Sequence, residues 1–225
     1  MQLPDYWLTR PALPSDPATL AAFDRLVAEA QAHPGAPLDY QLSAPRWQFL
    51  CHAAEQHNLA LHGSADAQIT VFEPRQSNDL NEFGNRKAVY AAADGIWAMF
   101  FAVIDRSRVQ SITNGCMRLS GPDGKVSEPY YIFSVSQEGL AQKPWRRGSV
   151  YLLPRETFVE QAPMPFGEYQ VHIAQLASLE PVTPLARLEV TPEDFPFLAQ
   201  VRRHDHARLE EYARALQTGA PWPED

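Results

Sequence analysis

The hydrophobic pattern of the chain changes period along its length. From residue 16 to 32 (DPATLAAFDRLVAEAQA) apolar side chains recur three and four apart, which puts Leu20, Phe23, Leu26 and Val27 on one face of a predicted helix. Ser15 is its expected cap, and HPGAP at 33–37 ends it. A second helix is predicted from Pro45 to about His57, capped by Ser43, with Trp47, Leu50, Cys51 and Ala54 as its apolar stripe. From residue 59 the period shortens towards two. LALH (59–62), KAVYAA (87–92), YYIFSVS (130–136), SVYLLP (149–154), EYQVHIAQL (168–176) and LARLEV (185–190) read as short strands. Between them Asp94 caps a predicted helix from Gly95 to about Ile104, and RHDHARLEEYARAL (203–216) reads as a closing helix. Residues 1–15 are proline-rich and read as an arm lying over the surface.

Helices first and strands afterwards, without regular strand–helix–strand alternation, predict an α+β fold. No internal repeat or linker divides residues 1–225, so one domain is expected: a helical N-terminal extension (1–58), a core (59–190) and the closing helix. The formal charge of −8 counts against binding to a DNA or RNA backbone, which needs clustered Lys and Arg. Two cysteines, Cys51 and Cys116, cannot build a disulfide framework, and MQLPDYWLTRP lacks the basic-then-apolar pattern of a secretion signal. The longest apolar run, 88–104, is broken by Asp94 and is short for a bilayer. A cytoplasmic protein without a membrane partner is the expectation.

Several kinds of chemistry are missing from the sequence. Neither GxGxxG nor GxxxxGK[ST] occurs, which argues against a glycine-rich phosphate loop. His204 and His206 are two apart on a predicted helix and point to different faces. Cys51, His52 and His57 are conceivable ligands, but the apolar stripe accounts for Cys51, and no metal site is expected. No strand–turn–helix elbow marks a nucleophile.

Three strand ends carry polar side chains. In LALHGS, His62 faces away from Leu59 and Leu61, and the strand stops at Gly63 and Ser64. In KAVYAA, Tyr90 faces away from Val89. In EYQVHI, Glu168 starts a strand opposite Tyr169, Val171 and Ile173, on the face of Gln170 and His172. Taken singly, each has an ordinary explanation: a hydrogen-bonded histidine, a core tyrosine, a solvated acid.

Together LHGS, FGNRKAVYAAAD and GEYQVHIAQ resemble, in order, the three signature segments of the ADP-ribosyltransferase superfamily. They are most similar to the His-Tyr-Glu class typified by poly(ADP-ribose) polymerases, whose segments read HGS, FGxGIYFAD and EYxVYDxxQ. The resemblance covers roughly residues 59–190 and implies a split β-sheet core that consumes NAD as co-substrate. It assigns His62 to a ribose hydroxyl, the Gly63 backbone and Ser64 to the nicotinamide side, Tyr90 to stacking on the nicotinamide ring, and Glu168 to the nicotinamide ribose as catalytic carboxylate. Residues 65–86 would form the loop over the dinucleotide, with Arg75, Arg86 and Lys87 as cations for the pyrophosphate. Cleavage of the nicotinamide–ribose bond passes through an oxocarbenium-like state that such a carboxylate stabilises.

The chain also departs from that pattern. The GxG turn becomes Gly84-Asn85-Arg86-Lys87-Ala88, Ala91 replaces a bulky Phe, and Trp97-Ala98 stand where a serine is usual. Phe166, two before Glu168, disfavours arginine as acceptor and leaves the acceptor unnamed. The implied activity is NAD-dependent mono-ADP-ribosyl transfer. A catalytically silent domain that binds NAD, ADP-ribose or a protein partner is the alternative, and an RNA 2′-phosphotransferase-like enzyme is a third, against which the acidic charge counts.

Overall fold

The computed structural model describes residues 3–77 and 82–223. Both early helices form where the apolar period predicts them. The first, Pro17–Ala32, starts one residue later than expected and is capped by Asp16 rather than Ser15: Oδ1 of Asp16 accepts the Thr19 N–H at 2.9 Å. The second, Arg46–Gln56, has Pro45 at its cap position and no side-chain cap bond, so Ser43 does not serve there. Phe23, Leu26, Val27, Trp47, Leu50 and Cys51 are buried between them and the rest of the core.

A third helix, Gly95–Val103, is apolar on every side, and its surroundings explain why. It packs against the second helix and against the strands Ala60–Ser64 and Gly148–Leu153. Asp94 caps it: Oδ1 accepts the Trp97 N–H at 2.8 Å, and Oδ2 accepts the Tyr131 hydroxyl at 2.7 Å. Burial pushes the Asp94 carboxyl above its usual range, and these two donors oppose that shift.

Two sheets enclose this helix. One runs in the order Leu8–Thr9, Tyr130–Ser136, Ile112–Ser120, Tyr169–Ile173, Met164–Phe166, with Arg202–His204 added parallel to Tyr130–Ser136. The other runs Ala36–Pro37, Ala186–Val190, Gly148–Leu153, Ala60–Ser64, Lys87–Ala92, Gln175–Ser178, Val159–Glu160, with Arg75–Gln76 paired to Lys87–Ala92. One stretch of chain belongs to both. Tyr169–Ile173 lies in the first sheet and Gln175–Ser178 in the second, and Ala174 joins them: its N–H bonds Cys116 and its carbonyl accepts the Ala93 N–H at 2.8 Å. The arrangement is α+β, as expected from the order of elements.

Three local expectations change. Of the expected arm 1–15, the described residues 3–15 are not merely laid over the surface: Leu8–Thr9 pairs with the 130–136 strand, Tyr6 is fully buried, and Arg10 bonds Glu55 and Glu128. The segment ITNGCMRLS forms the nine-residue strand Ile112–Ser120, which its polar centre had hidden. The closing helix is shorter and later, Leu209–Thr218. Residues 202–204 pair as a strand, because His204 is fully buried with Ser111 at Nε2 (2.8 Å) and Ser134 at Nδ1 (2.7 Å). Among the described residues no helix is long and apolar enough to cross a membrane.

Candidate functional site

The strands carrying His62 and Tyr90 are neighbours in the second sheet, yet they pair only at Leu61 and Ala92. On its other side the 60–64 strand keeps full register with 149–153, from Ala60 opposite Leu153 to Ser64 opposite Ser149. Past Leu61 and Ala92 the strands therefore splay, and the 62–64 edge makes no ladder pair with the Tyr90 strand. Backbone groups along such an edge are open to a ligand that offers its own donor and acceptor.

His62 bridges the mouth of this split. Its Nδ1 lies 2.6 Å from the Tyr90 carbonyl oxygen. A carbonyl only accepts, so Nδ1 carries the proton and the neutral ring keeps a lone pair on Nε2. Desolvation holds the imidazole pKa below its ordinary value, the carbonyl bond opposes that, and the Arg75 charge adds to the lowering. His62 is thus a neutral acceptor at pH 7. Its ring packs on Phe72 at 4.6 Å, and Phe72 in turn meets Tyr151 edge-on at 5.1 Å.

Gly63 is the residue that sets how closely the strand approaches the helix. A Cβ built on it would lie 2.0 Å from the Ala98 carbonyl oxygen and 2.7 Å from the Ala102 nitrogen, so only glycine fits. Ser64 Oγ accepts the Asp66 N–H at 3.1 Å and turns the chain into the 65–77 loop.

Tyr90 alternates with Val89 and Ala91, which are buried with Phe72 and Tyr151 on one face of the sheet. It therefore shares the opposite face with Ala92, whose side chain joins the helix-side core. Its hydroxyl donates to the Phe83 and Arg86 carbonyls at 3.0 and 3.1 Å and accepts the Arg86 N–H at 2.7 Å. Those bonds fix the turn leading into the strand. Arg75 and Lys87 lie exposed on the short ladder beside it, and the exposed Arg86 guanidinium sits 5.1 Å over the Phe83 ring. The loop expected over the dinucleotide, 65–86, includes residues 78–81, which lie outside the described residues.

Glu168 lies elsewhere. Phe166 pairs with Tyr169, leaving Gly167 and Glu168 as a two-residue hairpin loop with Gly167 at φ +60°. Glu168 is exposed at the tip of this loop, at the far end of the first sheet. Tyr90 stands opposite Ala177, nine residues further along, or roughly 30 Å of extended chain. The structure thus sets the 62–64 and 87–92 strands side by side with Arg75 close to His62, but turns the His62 ring to the Phe72 and Tyr151 face and the Tyr90 side chain to the opposite one, and does not bring Glu168 to them.

What the same chain places near Tyr90 is an amide. Gln175 is opposite Ala92, and cross-strand partners share a face, so Gln175 projects on the Tyr90 side of the sheet. The resemblance counts Gln175 among the matched positions of the third segment but gives it no role, because the signature pattern puts the chemistry on the acid at the start of the segment. The other polar residues of that segment are accounted for: His172 Nε2 is 2.8 Å from Ser120 Oγ, and Gln170 is exposed.

Two clefts of about 350 and 300 Å³ lie away from this region, one lined by Gln31, His57 and Arg155, the other by Leu20, His52 and Glu55. Neither is lined by His62, Tyr90 or Glu168. Compared with family models, curated proteins and solved structures, the chain matches none of them.

Proposed function

We propose that the chain is an ADP-ribosyltransferase-like domain whose split sheet recognises NAD or ADP-ribose, and that it does so as a binding site rather than as an efficient transferase. The observation that carries this reading is the splay past Leu61 and Ala92, with His62 locked as an Nε2 acceptor beside it. A carboxamide such as that of nicotinamide offers one donor and one acceptor to the free 62–64 edge. A ribose hydroxyl offers its proton to His62 Nε2. Arg75, with Lys87 on the same ladder and Arg86 next to it in the chain, supplies positive charge for a pyrophosphate. The two sheets sharing the 169–178 chain support the reading of a split β-sheet core.

Transfer chemistry needs more than recognition. As the nicotinamide–ribose bond breaks, positive charge grows on the sugar, and a carboxylate on its 2-hydroxyl lowers the barrier in step with that charge. Gln175 accepts a hydrogen bond from a hydroxyl equally well in both states but brings no negative charge. The binding reading is favoured on that ground, and no particular acceptor follows from the geometry.

The test is nicotinamide release from NAD by the wild type, Glu168→Gln and Gln175→Glu. The expected rates are equal and low for the first two and at least about 100-fold higher for Gln175→Glu, the lower end of what one preorganised electrostatic group contributes. A loss of substantial wild-type activity on Glu168→Gln would restore the transferase reading, with Glu168 as its carboxylate.

A further inference from the structure

At the surface between the first two helices, three side chains from separate parts of the chain converge. Asp24 comes from the first helix, His52 from the last turn of the second, and His57 from the residue that ends it. His52 Nε2 and His57 Nε2 lie 2.7 and 2.8 Å from the same oxygen, Asp24 Oδ1, and one ligand atom from each residue falls within 4.8 Å of the others. Among the described residues this is the one group of three or more His, Cys, Asp or Glu side chains so arranged.

We propose that Asp24, His52 and His57 form a binding site for a divalent transition-metal ion of the zinc class. Two imidazole nitrogens and one carboxylate oxygen suit zinc and its neighbours better than magnesium or calcium, which take oxygen ligands. Tetrahedral bonds of 2.0–2.1 Å put ligand atoms roughly 3.3 Å apart. The two hydrogen-bonded distances need widen by only about half an ångström to admit an ion, which replaces the two shared Nε2 protons. The ring of His52 is held in place by contact with Phe23 at 5.4 Å and with His57 at 5.3 Å. Its side chain is 10% exposed, that of His57 27% and that of Asp24 55%, so the site is anchored on one side and open on the other.

Open coordination follows from the surroundings. His57 lines the cleft of about 350 Å³ and His52 the one of about 300 Å³, so a fourth ligand, water or an exchangeable anion, has room on either side. The ion clips the end of the second helix to the first, three residues before the strand Ala60–Ser64 begins. This site is independent of the NAD reading, and its test does not involve NAD.

The full-length protein, stripped with chelator and exchanged into chelator-free buffer, is titrated with Zn²⁺ by calorimetry and with Co²⁺ by visible absorption. One equivalent of each is expected to bind, Co²⁺ giving the intense d–d bands of four- or five-coordination, and Zn²⁺ is expected to raise the melting temperature. Asp24→Asn and His57→Gln should each weaken uptake by at least the ~10–100-fold that loss of an outer-shell partner costs. Both positions are partly exposed, and circular dichroism of the metal-free variants confirms that they fold. No stoichiometric uptake, or uptake unchanged in both variants, overturns the proposal and leaves Asp24 as a hydrogen-bonded brace between the helices.

Discussion

Gly63→Ala is expected to lower the unfolding free energy by about 3 kcal/mol or more, the upper range for forcing atoms into a packed core. The added methyl would sit 2.0 Å from the Ala98 carbonyl oxygen and 2.7 Å from the Ala102 nitrogen. Both are backbone atoms of a helix buried between two sheets, so neither can swing aside as a side chain would. Relief requires the helix 95–103 to move off the sheet as a unit, opening the contacts of Leu61, Phe100 and Leu152 in the same core. Gly115→Ala is the control. It lies in a strand too, but its nearest neighbour would be the Ile132 Cγ2 atom at 3.6 Å, an ordinary contact. That change should be near neutral, because the methyl fits and alanine costs less backbone entropy than glycine. Urea unfolding of both variants makes the comparison, and equal stabilities would remove the helix from its place against the strand.

The second large effect is on acid stability. His204 is fully buried, with serine hydroxyls on both ring nitrogens, and desolvation pushes its pKa down to about 4. His206, which bonds the same Ser111 hydroxyl, lowers it further, while Asp205 and Glu138 oppose the shift. The unfolded chain takes up this proton near the ordinary value of about 6.5, the folded chain only near 4. Stabilisation is therefore complete above pH 6.5, falls as the pH drops towards 4, and changes little below that on this group's account. The loss across the window is on the order of 3 kcal/mol. His62, also held below its ordinary pKa, adds a loss of the same sign. Denaturant melts from pH 7 to pH 4 should show the decline, and His204→Asn, which cannot take up the proton, should flatten most of it. A variant that loses stability as steeply as the wild type would show that the coupling lies elsewhere.

Much of the architecture was legible because burial and period coincide. The helix faces at 17–32 and 46–56 and the capping of 95–103 by Asp94 follow from local rules that tertiary contacts reinforce. The strand 112–120 was not legible, since Asn114 and Gly115 interrupt its pattern and only pairing with 130–136 and 169–173 on either side makes it a strand. Residues 202–204 were hidden for a related reason: a histidine in a helical pattern looks exposed until two serines from distant segments meet it.

The candidate site divides in the same way. The adjacency of LHGS and AVYAAAD came from a resemblance of short motifs, and the sheet order places those segments side by side. The third segment misled because a motif records composition and not register. Glu168 matches the acid of the signature pattern, yet the chain spends residues 169–173 in the first sheet before Gln175 reaches the Tyr90 strand. The Asp24, His52 and His57 cluster was legible only in part: the sequence offers His52 and His57 as conceivable ligands together with Cys51, and nothing in it points to Asp24. Its histidines are five apart, not four, and its aspartate lies on another helix.

The most direct test of the central claim is calorimetric titration of the full-length protein with NAD. The splayed strands and the locked His62 predict saturable one-site binding by the wild type, retained in Glu168→Gln and lost or at least 10-fold weaker in His62→Ala, since removing a hydrogen-bonded contact of this kind costs about 1–3 kcal/mol. Absence of wild-type binding at millimolar NAD, or affinity unchanged by His62→Ala, would contradict it.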